Sequence, residues 1–239
     1  WWWYATDEPS AHPAMSQKEL AEIEAGRETL TPHVGSDAWT QLIRDRNTLI
    51  LAAAYFAENF IFYLFFTWFF HYLVSELGFS ILETGFLASL PWLCGAVMAS
   101  VGGYLCDTLC AKFGPRLGCR VPAITGLVGA GIFLHLGLYS SSPYVAVVLL
   151  SLCFASTQFT EGAYWSAQTY VAGPYTAPAC GVMNTGGNLA GIVVAPLMPF
   201  LAGHIGWVTA LSTGSIMAFV GAALWLFIRP DEPFQPQSK

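Results

Sequence analysis

The sequence predicts an all-α membrane protein with six membrane-spanning helices, and three observations carry that prediction. Only 10% of its 239 residues are Asp, Glu, Lys or Arg, and 55% are hydrophobic, whereas soluble domains carry about 25% charged residues. Six stretches are long and apolar enough to cross hydrocarbon, which takes roughly 20 residues at 1.5 Å rise: 48–74, 85–106, 121–139, 144–171, 179–205 and 208–228. The short alternating segments of a β-barrel are absent. The basic residues then alternate with these spans. Lys18, Arg27, Arg44 and Arg46 precede the first, Lys112, Arg116 and Arg120 separate the second and third, and Arg229 and Lys239 follow the sixth. The connections on the other side hold no Lys or Arg. Basic residues concentrate on the cytoplasmic side, so both termini are expected to be cytoplasmic.

Residues 1–47 form a polar segment before the bundle. The first four residues read as the end of an earlier apolar segment, without the basic start or cleavage site of a signal peptide, so a truncated chain is expected. Ser16-Gln17-Lys18-Glu19 is a capping box, in which Ser16 accepts from the Glu19 amide and Glu19 reaches back. It predicts a short cytoplasmic helix over 16–26, ending near Gly26. The six-helix bundle is placed at 48–229 and a cytoplasmic tail at 230–239.

Small residues recur every fourth position within spans: Gly95, Ala99 and Gly103; Gly187, Gly191 and Ala195; Gly214, Ala218 and Ala222. Lipid offers helices no hydrophobic reason to associate, so close backbone approach matters. Bends are expected at Pro91, Pro196 and Pro199.

Two carboxylates lie deep in spans, Glu58 in the first and Glu161 in the fourth. A charge there costs at least about 2.5–3.5 kcal/mol, so such groups face a water-filled cavity, carry protons, or serve as protonated hydrogen-bond partners. Gln158, Glu161, Trp165 and Gln168 follow a helical face. Tyr55, Asn59, Tyr63 and Thr67 repeat every fourth residue beside Glu58, and Asn184 and Asn188 stand four apart in the fifth span. Three polar stripes on three helices argue for an aqueous cavity, although asparagines also serve interhelical hydrogen bonding. His71 and His135 read as structural.

The six cysteines lie inside spans or at their ends, none in an external loop, so a disulfide framework is not expected. Cys106-x3-Cys110 has the outline of half a metal site, but no histidine or second pair stands beside it in sequence. Small buried residues are the reading, with no metal and no cofactor. No phosphate loop or nucleophile triad appears: Gly186-Gly187 lies in a span with no lysine after it. Basic residues are too few for nucleic acid. The composition therefore points away from an enzyme.

With these residues in hand, the chain resembles the C-terminal half of the anion:cation symporter branch of the major facilitator superfamily. The run from His12 through Ser16, Glu19 and Ile23 is similar to that branch's central cytoplasmic loop. Thr67-Trp68-Phe69 with Tyr72-Leu73-Val74 resembles the end of its seventh helix, with Phe70 where proline is common. Gly102-Gly103-Tyr104-Leu105-Cys106-Asp107 followed by Arg116 and Arg120 resembles its cytoplasmic loop motif, with Thr108 in place of an arginine. Glu161-Gly162-Ala163-Tyr164-Trp165 and the run from Gly181 to Asn188 resemble its helices ten and eleven. Tyr170 stands where many members carry aspartate.

The resemblance implies one half of a twelve-helix fold, built from two inverted three-helix repeats, with the spans here as helices seven to twelve. It implies secondary active transport of a small organic anion, a carboxylate or sugar acid, coupled to a proton or another cation. The expected partners are that anion, the coupling ion, the lipid bilayer and an N-terminal six-helix half. The expected site comprises Tyr55, Asn59, Tyr63, Gln158, Trp165, Asn184 and Asn188 around the solute, with Glu161 and Glu58 coupling protons. Gly103, Asp107, Arg116 and Arg120 form the loop motif. A plasma (inner) membrane location follows. The competing reading is a non-transporting six-helix scaffold or regulatory protein.

Overall fold

The computed structural model describes residues 3–26 and 40–235; Arg27, Lys239, the opening Trp1-Trp2 pair and the 27–39 part of the polar segment lie outside the described residues. The chain divides into two units, residues 1–33 and 34–239. In the first unit, α1 (Gln17–Gly26) begins at a reciprocal cap. The Ser16 hydroxyl accepts from the Glu19 amide at 3.2 Å, and the Glu19 carboxylate accepts from the Ser16 amide at 3.1 Å. Two amides that the helix itself leaves unpaired are thereby satisfied.

The second unit is a helical bundle. Its elements are α2 (Arg46–Ser75), α3 (Ile81–Leu87), α4 (Leu90–Phe113), α5 (Pro115–Leu138), α6 (Pro143–Gln158), α7 (Glu161–Ala172), α8 (Thr176–Ile205) and α9 (Trp207–Trp225). Asp45 caps α2 by accepting from the Thr48 amide at 2.8 Å. Ser80 and Glu83 form a second capping box at α3, a short helix that the apolar pattern alone merges with the following span. Pro91 sits in the first turn of α4, where its missing N–H costs nothing, so it starts a helix where a bend was expected. Pro196 and Pro199 lie within the continuous α8.

By length and composition, five helical stretches can cross a membrane, one being the 63 residues Pro143–Ile205. As a straight helix that stretch would run about 95 Å, three times the hydrocarbon thickness. It is two passes. Gly173, at φ +51°, adopts a conformation that L side chains avoid and reverses the chain between α7 and α8. Neighbouring residues establish the directions. Ala52 faces Gly186 and Tyr63 faces Gly191, so α2 and α8 run parallel; Gly214 faces Leu64 and Leu134, while Gly221 faces Ala57 and Leu127, so α9 opposes both α2 and α5. Gly126 meets Ser156 and Thr160 while Gly137 meets Leu150, so α6 opposes α5. Six passes result, an all-helical membrane protein.

The packing shows an internal exchange. α2 packs most extensively on α8, as α4 packs on α6 and α7, and α5 packs on α9. The triplet α2, α3–α4, α5 and the triplet α6–α7, α8, α9 run in opposite senses, which is the inverted-repeat arrangement. The close approaches run through small residues. A Cβ on Gly95 would stand 2.8 Å from Phe154, and one on Gly162 would stand 2.7 Å from the Gly103 backbone.

Among the described residues, two large apolar cores fill the bundle, one toward each end, with a smaller cluster of Leu42, Ala172 and Ala179 beside them. Phe60, Leu64, Phe69, Tyr72, Leu134, Leu150, Val194, Met198 and Leu211 belong to the first. Leu51, Tyr55, Leu127, Tyr164, Met183 and Trp225 belong to the second. Between them, at one level along α2, the α6–α7 junction and α8, lie Glu58 and Asn59, Thr157 to Glu161, and Asn184 to Asn188. The polar side chains form a belt across the middle of the bundle.

Candidate functional site

The belt is built around an interruption. α6 ends at Gln158 and α7 begins at Glu161, with Phe159 and Thr160 between. Threonines at the break turn back onto their own chain: Thr157 Oγ1 donates to Phe154 O and Thr160 Oγ1 to Thr157 O, both at 2.7 Å. Such bonds compete with the helix ladder. The fourth span was expected to be one continuous helix, and the interruption changes its register. Glu161 and Trp165 face the half-open side, whereas Gln168 is fully buried and donates to Thr48 Oγ1 at 3.4 Å. Gln158 lies against Gly95, and its amide nitrogen is buried without a partner among the described residues. The expected single face therefore divides.

Glu161 gathers three donor contacts. The Tyr55 hydroxyl lies 3.3 Å from each carboxylate oxygen, and the Trp165 indole N–H donates to Oε2 at 2.8 Å. The Tyr55 ring is fixed edge-on to Trp165, with centroids 6.1 Å apart, and against Tyr164 at 5.0 Å. Tyr164 is wholly buried; its hydroxyl donates to Ala54 O at 3.0 Å, and its ring meets Trp225 at 5.0 Å. Tyr164 and Trp225 thus buttress the site from behind, a role no spacing in the sequence revealed.

Glu58 is wholly buried. Asn59 Nδ2 donates to its Oε2 at 2.9 Å and to Tyr55 O at 3.0 Å, and Glu58 Oε1 has no partner among the described residues. Neither Glu58 nor Glu161 has a cation beside it among the described residues.

On α8, Asn188 is exposed and accepts from the Tyr63 hydroxyl at 2.7 Å while donating to Asn184 O and Oδ1 at 2.8 and 3.1 Å. Asn184 is exposed too. Gly187 permits this approach, since a Cβ there would fall 2.5 Å from the Tyr55 ring and 2.9 Å from Asn59 Nδ2. The fold thus brings together Tyr55, Glu58, Asn59, Glu161 and Trp165 in one group, with Tyr63, Asn184 and Asn188 beside it. Thr67 bonds back to Tyr63 O on its own helix. With Trp165 at 39% exposure, the belt is an open wall and not an enclosed pocket.

The loop-motif residues are arranged differently from a compact charge network. Gly103 forms the close contact with α7. Asp107 is exposed and makes no ion pair among the described residues. The arginines turn to the tail instead. Arg116 pairs with Asp231 at 3.7 Å, and Arg120 Nη2 donates to Leu226 O at 3.1 Å and Ile228 O at 2.8 Å. Asn47 exchanges bonds with Arg229, donating to its carbonyl at 3.2 Å and accepting from its amide at 3.1 Å. The start of α2 and the end of the bundle are tied together there.

Comparison with known proteins agrees with this architecture. The sequence profile of the Major Facilitator Superfamily matches residues 1–172. A probable galactarate/D-glucarate transporter of Bacillus subtilis is 33% identical over 92% of this chain and 50% of its own length. A probable sulfoacetate transporter of Cupriavidus necator is 28% identical over 94% of this chain and 52% of its own. A probable chloroplastic anion transporter of Oryza sativa is 26% identical over 94% of this chain and 38% of its own. The chain spans about half the length, or less, of these relatives.

Proposed function

The chain belongs to the major facilitator superfamily, and from that premise we propose that it forms one wall of the central cavity of a secondary active transporter for a small organic anion. The observation that carries the reading is Glu161, held by Tyr55 and Trp165 at the break between α6 and α7, in a polar belt between two apolar cores. Buried polar groups are expensive in hydrocarbon, and a protein that only needed to fold would gain by replacing them with apolar side chains. A belt open on one side is suited to a solute that enters from either end.

Relatives named for galactarate and glucarate, for sulfoacetate and for anions support a carboxylate or sugar-acid solute. Asn184, Asn188, Tyr63 and Trp165 would meet its hydroxyl and carboxylate oxygens. Glu161, assisted by Glu58, would take up and release the coupling proton as the cavity changes its exposure. A second six-helix half would supply the opposing wall and the cation that balances the anion, since no Lys or Arg lies in the belt. Rocking of the halves would alternate access, with Arg116, Arg120 and both termini on the cytoplasmic side of the plasma (inner) membrane.

Glu161→Gln tests this in the transport-competent protein, this chain together with its six-helix partner. Glutamine keeps the size and hydrogen bonding but removes the titration. Substrate exchange should persist while pH-driven accumulation is lost. Unchanged accumulation sinks the coupling role, and loss of both activities with weaker binding reassigns Glu161 to the solute.

A further inference from the structure

We propose that Cys106, Cys110 and Cys119 form a tris-thiolate site for a thiophilic d10 metal ion, of the Cu(I) or Zn(II) class, clamping α4 to α5. Cys106 and Cys110 are four residues apart on α4 and so share a face. The chain then reverses at Gly114, whose φ of +80° suits glycine. Gly118 follows in the first turn of α5, and there a Cβ would fall 2.4 Å from both the amide nitrogen and the sulfur of Cys110. That absence of a side chain lets α5 lie directly on Cys110 and delivers Cys119 to the pair.

The three sulfurs form a nearly equilateral triangle, with separations of 4.0 Å (106–110), 3.9 Å (106–119) and 3.7 Å (110–119). A point in their plane equidistant from all three lies about 2.2 Å from each, close to the roughly 2.3 Å of a zinc–thiolate bond. An ion with slightly longer bonds would sit just above the plane with a fourth position open. All three cysteines are free, and each separation is far beyond the ~2.05 Å of a disulfide. Cys106 and Cys119 are wholly buried and Cys110 partly exposed, so an ion has a way in and a dry seat. Among the described residues these are the three potential ligands in the cluster. An all-sulfur set selects soft ions over magnesium or calcium.

Binding is a proton exchange without electron transfer: each S–H gives its proton to solvent as a sulfur–metal bond forms, and the metal keeps its oxidation state. The resulting negative site has Lys112, Arg116 and Arg120 on the same turn and the helix that follows it. Such a clamp would hold the α4–α5 turn rigid.

The test uses the intact, reduced protein in detergent, titrated with Cd(II) and, separately, with Cu(I). One equivalent of Cd(II) should produce a thiolate-to-metal charge-transfer band and raise the melting temperature. Cys110→Ser and Cys119→Ser should weaken binding by more than the roughly 10–100-fold that loss of an outer-shell partner costs. A variant with serine at Cys94, Cys153 and Cys180 should titrate like the parent. In the unsubstituted protein, either ion should protect Cys110 from maleimide while leaving Cys94 and Cys180 reactive, a readout that needs no variant to fold. Absence of the band at one equivalent, equal binding after loss of Cys110 and Cys119, loss of binding in the Cys94/Cys153/Cys180 variant, or unprotected Cys110 would each overturn the site.

Discussion

The Tyr55 hydroxyl reaches both oxygens of Glu161 from 106 residues away, at 3.3 Å each, and joins the first pass of the bundle to its fourth. Tyr55→Phe removes that donor while keeping the ring that packs on Tyr164 and Trp165. A hydrogen bond to a charged group is worth about 1.5–3 kcal/mol. On the proposed mechanism, loss of the bond lowers pH-driven accumulation by about an order of magnitude and leaves the melting temperature within a few degrees. Transport assays and thermal melts of the same preparation check this; full accumulation would show that Tyr55 is not part of the coupling group.

The glycines of the bundle should rank by what a new methyl meets. Gly203→Ala finds nothing within 4 Å, Gly187→Ala meets the Tyr55 ring at 2.5 Å, and Gly102→Ala meets the backbone carbonyl of Phe159 at 2.0 Å. A side chain can shift at a cost of about 1–3 kcal/mol, but a backbone carbonyl cannot move without opening the α4–α7 contact. Thermal melts should show Gly203→Ala near parent, Gly187→Ala lowered by several degrees and Gly102→Ala worst. A reversed order would mean that the belt geometry is incorrect.

Arg120 caps the end of α9 by donating to Leu226 O and Ile228 O. Arg120→Ala leaves both carbonyls seeking other partners, and the group is partly exposed, so water recovers some of the loss. A destabilisation of about 1 kcal/mol is expected, together with faster amide exchange over residues 224–229. Arg120→Lys should recover only part of it, because a lysine ammonium lacks the planar fork.

Orientation has its own test. In a background without reactive native cysteines, Ser141→Cys should be labelled by an impermeant maleimide from outside the cell, and Lys112→Cys only after the membrane is permeabilised. The opposite pattern would invert the topology.

The periodicity of the chain was sufficient for the membrane class, the passes and the identity of most belt residues. That follows from the solvent: in hydrocarbon every backbone group must bond within its own helix, so span length and polarity are written locally. Glu58, Glu161, Tyr55 and Asn188 could be singled out because polar groups at that depth are costly wherever they point. Whether Gln168 joins Glu161 could not be read, because the break at Phe159–Thr160 depends on Gly102 of another helix fitting against it. The same limit hid the third sulfur. Cys106 and Cys110 are neighbours by helical spacing, but Cys119 meets them only because Gly114 reverses the chain and Gly118 leaves room. Local pattern determines which groups enter the membrane; the tertiary structure decided which of them touch, since contact between helices is set by side chains far apart in sequence.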